Sequence, residues 1–260
     1  MGKSKMIIAK IILILFSIVF LFALYHVVVW VIDNYNTAQM IEELQDMASI
    51  HDAKKSTTTE VLDRTRYYDV PLLSVDFTNL LEKNNEIVGW IEVPGTNINY
   101  PFVQHDDNYF YLSHSYDKSY NYAGWLFLDY RNNLNPVDQN TIIYAHGRVD
   151  GTMFGSLKNV LIDSWKQEEK YYVRISTLSY NYLYEIFSAY HVPTTSDYMT
   201  TNFSNNSDYE FFLRTIKNRS MVGFDTSVTT HNKILTLSTC YNNFEKMVVH
   251  GKLVKQEKRY

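Results

Sequence analysis

The chain carries one cysteine in 260 residues, Cys240. A lone thiol has no partner in the chain for a disulfide. It is left as a small hydrophobe or as a nucleophile. The run Ile234-Leu235-Thr236-Leu237-Ser238-Thr239-Cys240 reads as a strand, and Cys240 ends it where the polar run Tyr241-Asn242-Asn243 begins. A thiol at a strand end facing a loop is open to a substrate. The thiolate is the reactive form of cysteine, so a nucleophilic Cys needs a base or cation beside it. Eight histidines are present. His146 also ends a predicted strand and is followed by Gly147; two strand ends at one rim of a barrel can bring a Cys and a His side by side. His105, His114, His191, His231 and His250 carry no such signal. No Cys/His cluster has zinc spacing, and the net charge of −4 gives no reason to expect nucleic-acid binding.

The elements that would hold such a pair are mostly strands. Aromatic residues are 15% of the chain, with 22 Tyr and only 9 Gly, and tyrosine and β-branched residues suit strands. Eight strands are expected, over residues 87–93, 97–103, 124–128, 141–145, 171–177, 182–191, 233–240 and 247–254. Turn signals at Pro94-Gly95, Asn132-Asn133 and Asn135-Pro136 punctuate them. Eight short strands with few helices between them predict a closed barrel, a mainly β fold. Helices are expected over 76–83, over 153–160 with an extension to 168, and over 208–218, in the connection before the cysteine strand. Met40, Ile41, Leu44, Met47 and Ile50 fall at three- and four-residue spacings, which predicts a helix over 36–53 capped by Asn36 or Thr37. Residues 54–59 read as a polar bend.

Ahead of all this, residues 11–32 are almost unbroken apolar. Twenty-two helical residues at ~1.5 Å each span ~33 Å, enough for a bilayer core. Lys3, Lys5 and Lys10 precede the run and Asp33 follows it, so the positive-inside rule places the N-terminus in the cytoplasm and the remainder outside the cell. No small-residue cleavage site follows the run, which favours an uncleaved anchor over a signal peptide. The expected organisation is a cytoplasmic tail over 1–10, a transmembrane anchor over 11–32, a helical spacer over 33–75 and a catalytic barrel over 76–260.

Three motifs, in one order, resemble the sortases, and class B in particular. They are Thr236-Leu237-Ser238-Thr239-Cys240 with the following Met247-Val248-Val249-His250-Gly251-Lys252-Leu253; Asn140-Thr141-Ile142-Ile143-Tyr144-Ala145-His146-Gly147 continued by Asp150-Gly151-Thr152-Met153-Phe154-Gly155; and Val88-Gly89-Trp90-Ile91-Glu92-Val93-Pro94-Gly95-Thr96 with Tyr100-Pro101-Phe102-Val103-Gln104. The resemblance runs from about Phe77 to Val254. It implies an eight-stranded sortase-type barrel with Cys240 as nucleophile and His146 as general acid/base. Sortases also use an arginine on the strand after the cysteine. Here the chain departs from the pattern: Lys246 stands where that arginine falls, after a loop that is shorter than usual. Lysine keeps the charge and lacks the planar fork; Arg131 and Arg148, near the histidine strand, are the other candidates for that role. For substrate contacts the resemblance points to Tyr144, Ser238, Asn108, Leu112, Thr194, Tyr198 and Met199.

The resemblance implies a membrane-anchored transpeptidase of a Gram-positive cell surface. Its partners are surface proteins with a C-terminal sorting signal of the Asn-Pro-x-Thr-x type, cleaved after threonine through a Cys thioester, and an amine of the cell wall that receives them. No metal or organic cofactor is implied. A cysteine protease that hydrolyses the same signal is an alternative, as is a catalytically silent, membrane-tethered binding domain.

Overall fold

The computed structural model describes residues 2–53, 59–63 and 66–259. They belong to two units, residues 1–40 and 41–260. The first is helical. It is most of α1 (Lys3–Met47), and its apolar side chains from Met6 to Tyr35 are nearly all exposed. Among the described residues this is the one helix long and apolar enough to cross a membrane.

α1 does not break at residue 33. The expected separate helix over 36–53 is the continuation of the same helix as far as Met47, because residues 33–47 contain neither Gly nor Pro to interrupt it. The expected spacer is therefore helical only in its first part. Beyond Met47 the chain turns to short strands: β1 (Ile50–Asp52), β2 (Thr59–Val61) and β3 (Leu73–Val75), with β1 and β3 paired antiparallel. The expected bend falls on residues 54–58, outside the described residues, and Thr59, its last position, begins β2. α2 (Thr78–Lys83) follows.

All eight expected strands are present: β4 (Ile87–Glu92), β5 (Asn99–Val103), β6 (Phe127–Leu128), β7 (Asn140–Tyr144), β8 (Tyr172–Thr177), β9 (Tyr180–Pro193), β10 (Ile234–Cys240) and β11 (Glu245–Lys258). They pair in the order β10-β7-β6-β5-β4-β8-β9-β11, and β10 pairs again with β11 to close an eight-stranded barrel. Closure leaves no long exposed edge. β2 adds to β11 past the end of β10, where β11 would otherwise present free backbone groups. Two pairs are parallel, β5 with β6 and β7 with β10. Trp90, Phe102, Trp125, Tyr184 and Phe187 are almost wholly shielded from solvent.

Besides one 3-10 turn at Phe110–Leu112, two longer helical stretches interrupt the strands among the described residues. The expected helix starting at residue 153 is not formed there. Met153 has φ +52° and bridges to Gly147, so the chain turns before a short 3-10 segment, Leu157–Leu161, and α3 (Asp163–Gln167). α4 (Asn206–Asn218) forms as expected. Asn205 caps it, accepting a hydrogen bond from Asp208 N at 2.9 Å. Its apolar face, Tyr209, Phe212, Leu213 and Ile216, follows the 3.6-residue period and packs on Phe187, Tyr190, Tyr198, Ile234 and Val248. That packing seats the chain segment around Tyr198 against the barrel.

Candidate active site

The strand registers bring the chemistry to one rim. β7 and β10 run parallel, with Tyr144 opposite Ser238. Two residues further on come His146, just past the end of β7, and Cys240, the last residue of β10. The chain after His146 presses against the cysteine: a Cβ on Gly147 would lie 2.1 Å from the Cys240 carbonyl oxygen, so only glycine fits. On the other side, β10 and β11 run antiparallel with Cys240 directly opposite Lys246. Lys246 Nζ lies 3.2 Å from Cys240 Sγ.

The loop between these strands is short and braced. Tyr241 N donates to Glu245 O at 2.9 Å, and the Asn242 side chain accepts from Phe244 N and Glu245 N at 2.8 and 2.9 Å. From β9, His191 stacks flat on Tyr241, with ring centroids 4.4 Å apart, and bonds Glu245 at 2.9 Å. The short loop thus turns Lys246 toward the sulfur.

His146 is held from two directions. Its Nε2 lies 2.7 Å from the Leu112 carbonyl oxygen. A carbonyl only accepts, so Nε2 carries a hydrogen and the lone pair of the neutral ring sits on Nδ1. The ring edge packs at Gly124 (φ +59°), where a Cβ would come within 2.9 Å of His146 Cδ2.

Cys240, His146 and Lys246 line a groove of about 460 Å³ together with Asn108, Tyr109, Leu112, Phe127, Tyr144, Ala145, Met199, Ser238 and Thr239. Of the residues expected to contact substrate, Tyr144, Ser238, Asn108, Leu112 and Met199 are therefore brought together. Tyr198 is not on the surface. It is fully buried behind Ser238, its hydroxyl 3.0 Å from Ser238 Oγ. Thr194 is not on the groove either: its amide and hydroxyl bond Phe244 O at 3.0 and 3.2 Å, bracing the loop that precedes Lys246.

Sequence reasoning missed the hub behind these walls, Asp129. Its side chain is wholly buried. It accepts two hydrogen bonds from the Arg131 guanidinium, at 2.8 and 2.7 Å, one from the Tyr144 hydroxyl at 2.9 Å and one from Asn108 Nδ2 at 3.2 Å. Burial pushes this carboxyl up, but the hydrogen bonds from Arg131 and Tyr144 outweigh it and hold the group below the ordinary carboxylate range. Burial first, then the Asp129 anion, raises the Tyr144 hydroxyl, which stays a donor. Arg131 also donates to Met199 O at 3.0 Å. One carboxylate thus ties three segments of the groove together. The signal in the sequence was the pair Asp129 and Arg131 two residues apart after a strand. Arg148, the other arginine near the histidine strand, is ion-paired with Asp150 at 3.0 Å. The Thr239 hydroxyl, next to the thiol, is buried without a hydrogen-bond partner. Among the described residues no three His, Cys, Asp or Glu side chains gather as metal ligands.

A closed barrel with a single thiol, a histidine and a cation on one rim defines a class of thiol-bearing β-barrel proteins. Comparison with known proteins narrows it. A family profile described as a sortase domain matches residues 91–254. Sortase B of Staphylococcus aureus (strain NCTC 8325 / PS 47) is 36% identical over 183 residues, covering 69% of this chain and 75% of that protein. Sortase B of Listeria monocytogenes serovar 1/2a (strain ATCC BAA-679 / EGD-e) is 33% identical over 245 residues, 91% of this chain and 92% of that protein. Among solved structures, sortase B from Bacillus anthracis superposes with a TM-score of 0.71 at 34% identity, covering 88% of this chain and 99% of that one. A sortase B complexed with triglycine superposes with a TM-score of 0.65 at 36% identity, covering 69% and 85%. The chain belongs to the sortase family, and its relatives place it in class B.

Proposed function

We propose that this protein is a membrane-anchored cysteine transpeptidase that cleaves a C-terminal sorting signal of the Asn-Pro-x-Thr-x type after its threonine and joins the freed acyl group to a cell-wall amine. The observation that carries the reading is the shared rim: Cys240, His146 and Lys246 open into one groove in a sortase fold. Cys240 gives its proton to His146 and attacks the threonine carbonyl as the thiolate. The Lys246 ammonium lies beside the sulfur and donates to the oxyanion that forms. His146 protonates the leaving amine, and a thioester remains on Cys240. His146 then takes a proton from the incoming amine, which displaces the thiol. A peptide amine such as that of the triglycine held by a solved relative has the required chemistry. Asn108, Leu112, Tyr144, Met199 and Ser238 line the groove for the peptide. The N-terminal helix anchors the protein, with the Lys-bearing end inside the cell and the barrel outside.

The test is product analysis with a pool of Asn-Pro-x-Thr-x peptides, with and without triglycine. Transfer predicts a threonyl-triglycine product and a hydroxylamine-sensitive adduct on Cys240. Only hydrolysed peptide, whatever amine is supplied, makes the protein a protease. No adduct with any peptide leaves a binding domain.

A further inference from the structure

Lys246 differs from an arginine in one chemical respect beyond geometry. A guanidinium stays protonated and is no nucleophile, whereas a lysine amine that loses its proton attacks acyl carbons. Here that amine lies 3.2 Å from the sulfur that would carry the acyl group. It is held there by a cross-strand register that pairs Cys240 with Lys246, and by a loop braced from β9 through His191 and Thr194. The acyl carbon of a thioester is bonded to that sulfur, so it lies within reach of the flexible lysine stem.

We propose a second activity: when no acceptor amine enters the groove, the acyl group on Cys240 passes to Nζ of Lys246. The proposal rests on the thioester reading above. Before acylation the ammonium faces the Cys240 sulfur. Acylation occupies that sulfur. The ammonium then gives a proton to His146 or to water, and the neutral amine attacks the acyl carbon. The C–N bond forms and the C–S bond breaks with its electron pair on Sγ. The second proton from nitrogen goes to Sγ. In net terms, thioester and ammonium become thiol, amide and one released proton, with no oxidant or further reactant. Well-oriented intramolecular groups reach effective molarities of ~10⁵–10⁸ M, so the amine, once deprotonated, competes with water. The product is a stable amide that removes the cation from the groove. The enzyme therefore switches itself off when it meets sorting signal without acceptor, and acceptor protects it.

The experiment uses the full-length chain in detergent micelles with the pool of Asn-Pro-x-Thr-x peptides and no added amine. After increasing times the protein is treated with hydroxylamine, which cleaves thioesters and spares amides, then weighed intact and mapped by peptide mass spectrometry. The expected result is a hydroxylamine-resistant acyl adduct on Lys246, rising with turnover toward one per enzyme. Activity falls in step, trypsin no longer cleaves after residue 246, and triglycine suppresses all three. The adduct is lost in Cys240→Ala and in Lys246→Arg. If the sensitive thioester forms on Cys240 and turns over while Lys246 stays unmodified, the second activity is overturned and the transpeptidase reading stands. If no thioester forms, both fall together.

Discussion

At the scale of single residues, the proposed chemistry separates groups that react from groups that hold them. Cys240→Ala should abolish both cleavage and transfer, since the chain has no second thiol. His146→Ala should lose nearly as much, and the double variant no more than either single one, because the two act as a unit. Turnover of the three variants on one peptide checks this; strong activity in either single variant refutes it. Lys246→Ala should lower kcat by roughly 10², the low end for one oxyanion donor on a mobile stem, with little change in KM. Unchanged kcat would remove Lys246 from the chemistry. Arg131 and Arg148 are poor replacements for that role, because each is engaged with its own carboxylate. Asp129 belongs to the holding groups. Asp129→Asn keeps the shape and removes the charge that gathers Arg131, Tyr144 and Asn108. The expected loss, of the order of 1–3 kcal/mol for charged hydrogen bonds, should appear mainly as raised KM, because the residue touches groove walls and not the reacting atoms. A fall in kcat alone would contradict that placement. The meeting of Cys240, His146 and Lys246 on one rim was legible from motif order, since each lies at or beside a strand end next to a recognisable run. Asp129 was not, because only Arg131 lies near it in sequence, while Tyr144 and Asn108 come from separate segments that no local pattern joins.

At the scale of elements, strand-favouring composition and turn punctuation pointed to all eight barrel strands, while two helical expectations failed for local reasons. α1 continues past residue 33 because nothing there stops a helix. Residues 153–156 turn because Met153 takes a left-handed backbone conformation and pairs with Gly147. Tyr198 and Thr194 were read as groove contacts because they lie in the right stretch, yet sequence spacing does not say which side chains face inward. The barrel also hides a polar chain that no strand pattern shows. His250 on β11 is fully buried, with Nδ1 2.9 Å from Thr236 Oγ1 on β10 and Nε2 3.0 Å from Tyr190 OH on β9. Thr236 continues the chain to Asn140 on β7 at 2.7 Å. Burial, then the positive charge of Arg219, lowers His250 from the ordinary 6.5 to about 3. The unfolded chain therefore binds a proton below about 6.5 that the folded one refuses until about 3. The stability this provides is complete above the upper value and is lost as pH falls through the window. His250→Gln, which does not titrate, should flatten the stability-versus-pH curve between those limits relative to wild type, as read by denaturant unfolding at a series of pH values. Parallel curves would mean that the ring is not excluded from protonation in the fold. α4 offers a second check. Leu213→Ala should cost about 2–5 kcal/mol and raise KM as well, since the same cluster supports Tyr198 and Met199.

At the scale of the whole molecule, the N-terminal unit decides where the chemistry takes place. α1 exposes Leu13, Phe16, Phe20, Leu21 and Phe22, a surface that water does not tolerate on a soluble protein. Some twenty such residues in a row match the hydrocarbon thickness of a bilayer. The charges at its ends set the direction: Lys3, Lys5 and Lys10 lie at or before the start of the apolar run, and Asp33 lies just after it. Lysines are retained on the cytoplasmic side, so the barrel should face outward. The acyl-transfer reading needs this orientation, because a cell-wall amine is on the outside. Protease added to intact protoplasts should therefore digest the chain beyond Asp33 and leave a fragment of the anchor, while a cytoplasmic marker protein stays whole. Replacing Lys3, Lys5 and Lys10 with Gln removes the retention signal, and should leave part of the population with its barrel protected from the protease. Full protection of the wild-type barrel, with digestion only after the membrane is permeabilised, would reverse the orientation and remove the wall amine as acceptor, whatever the purified protein does with peptides.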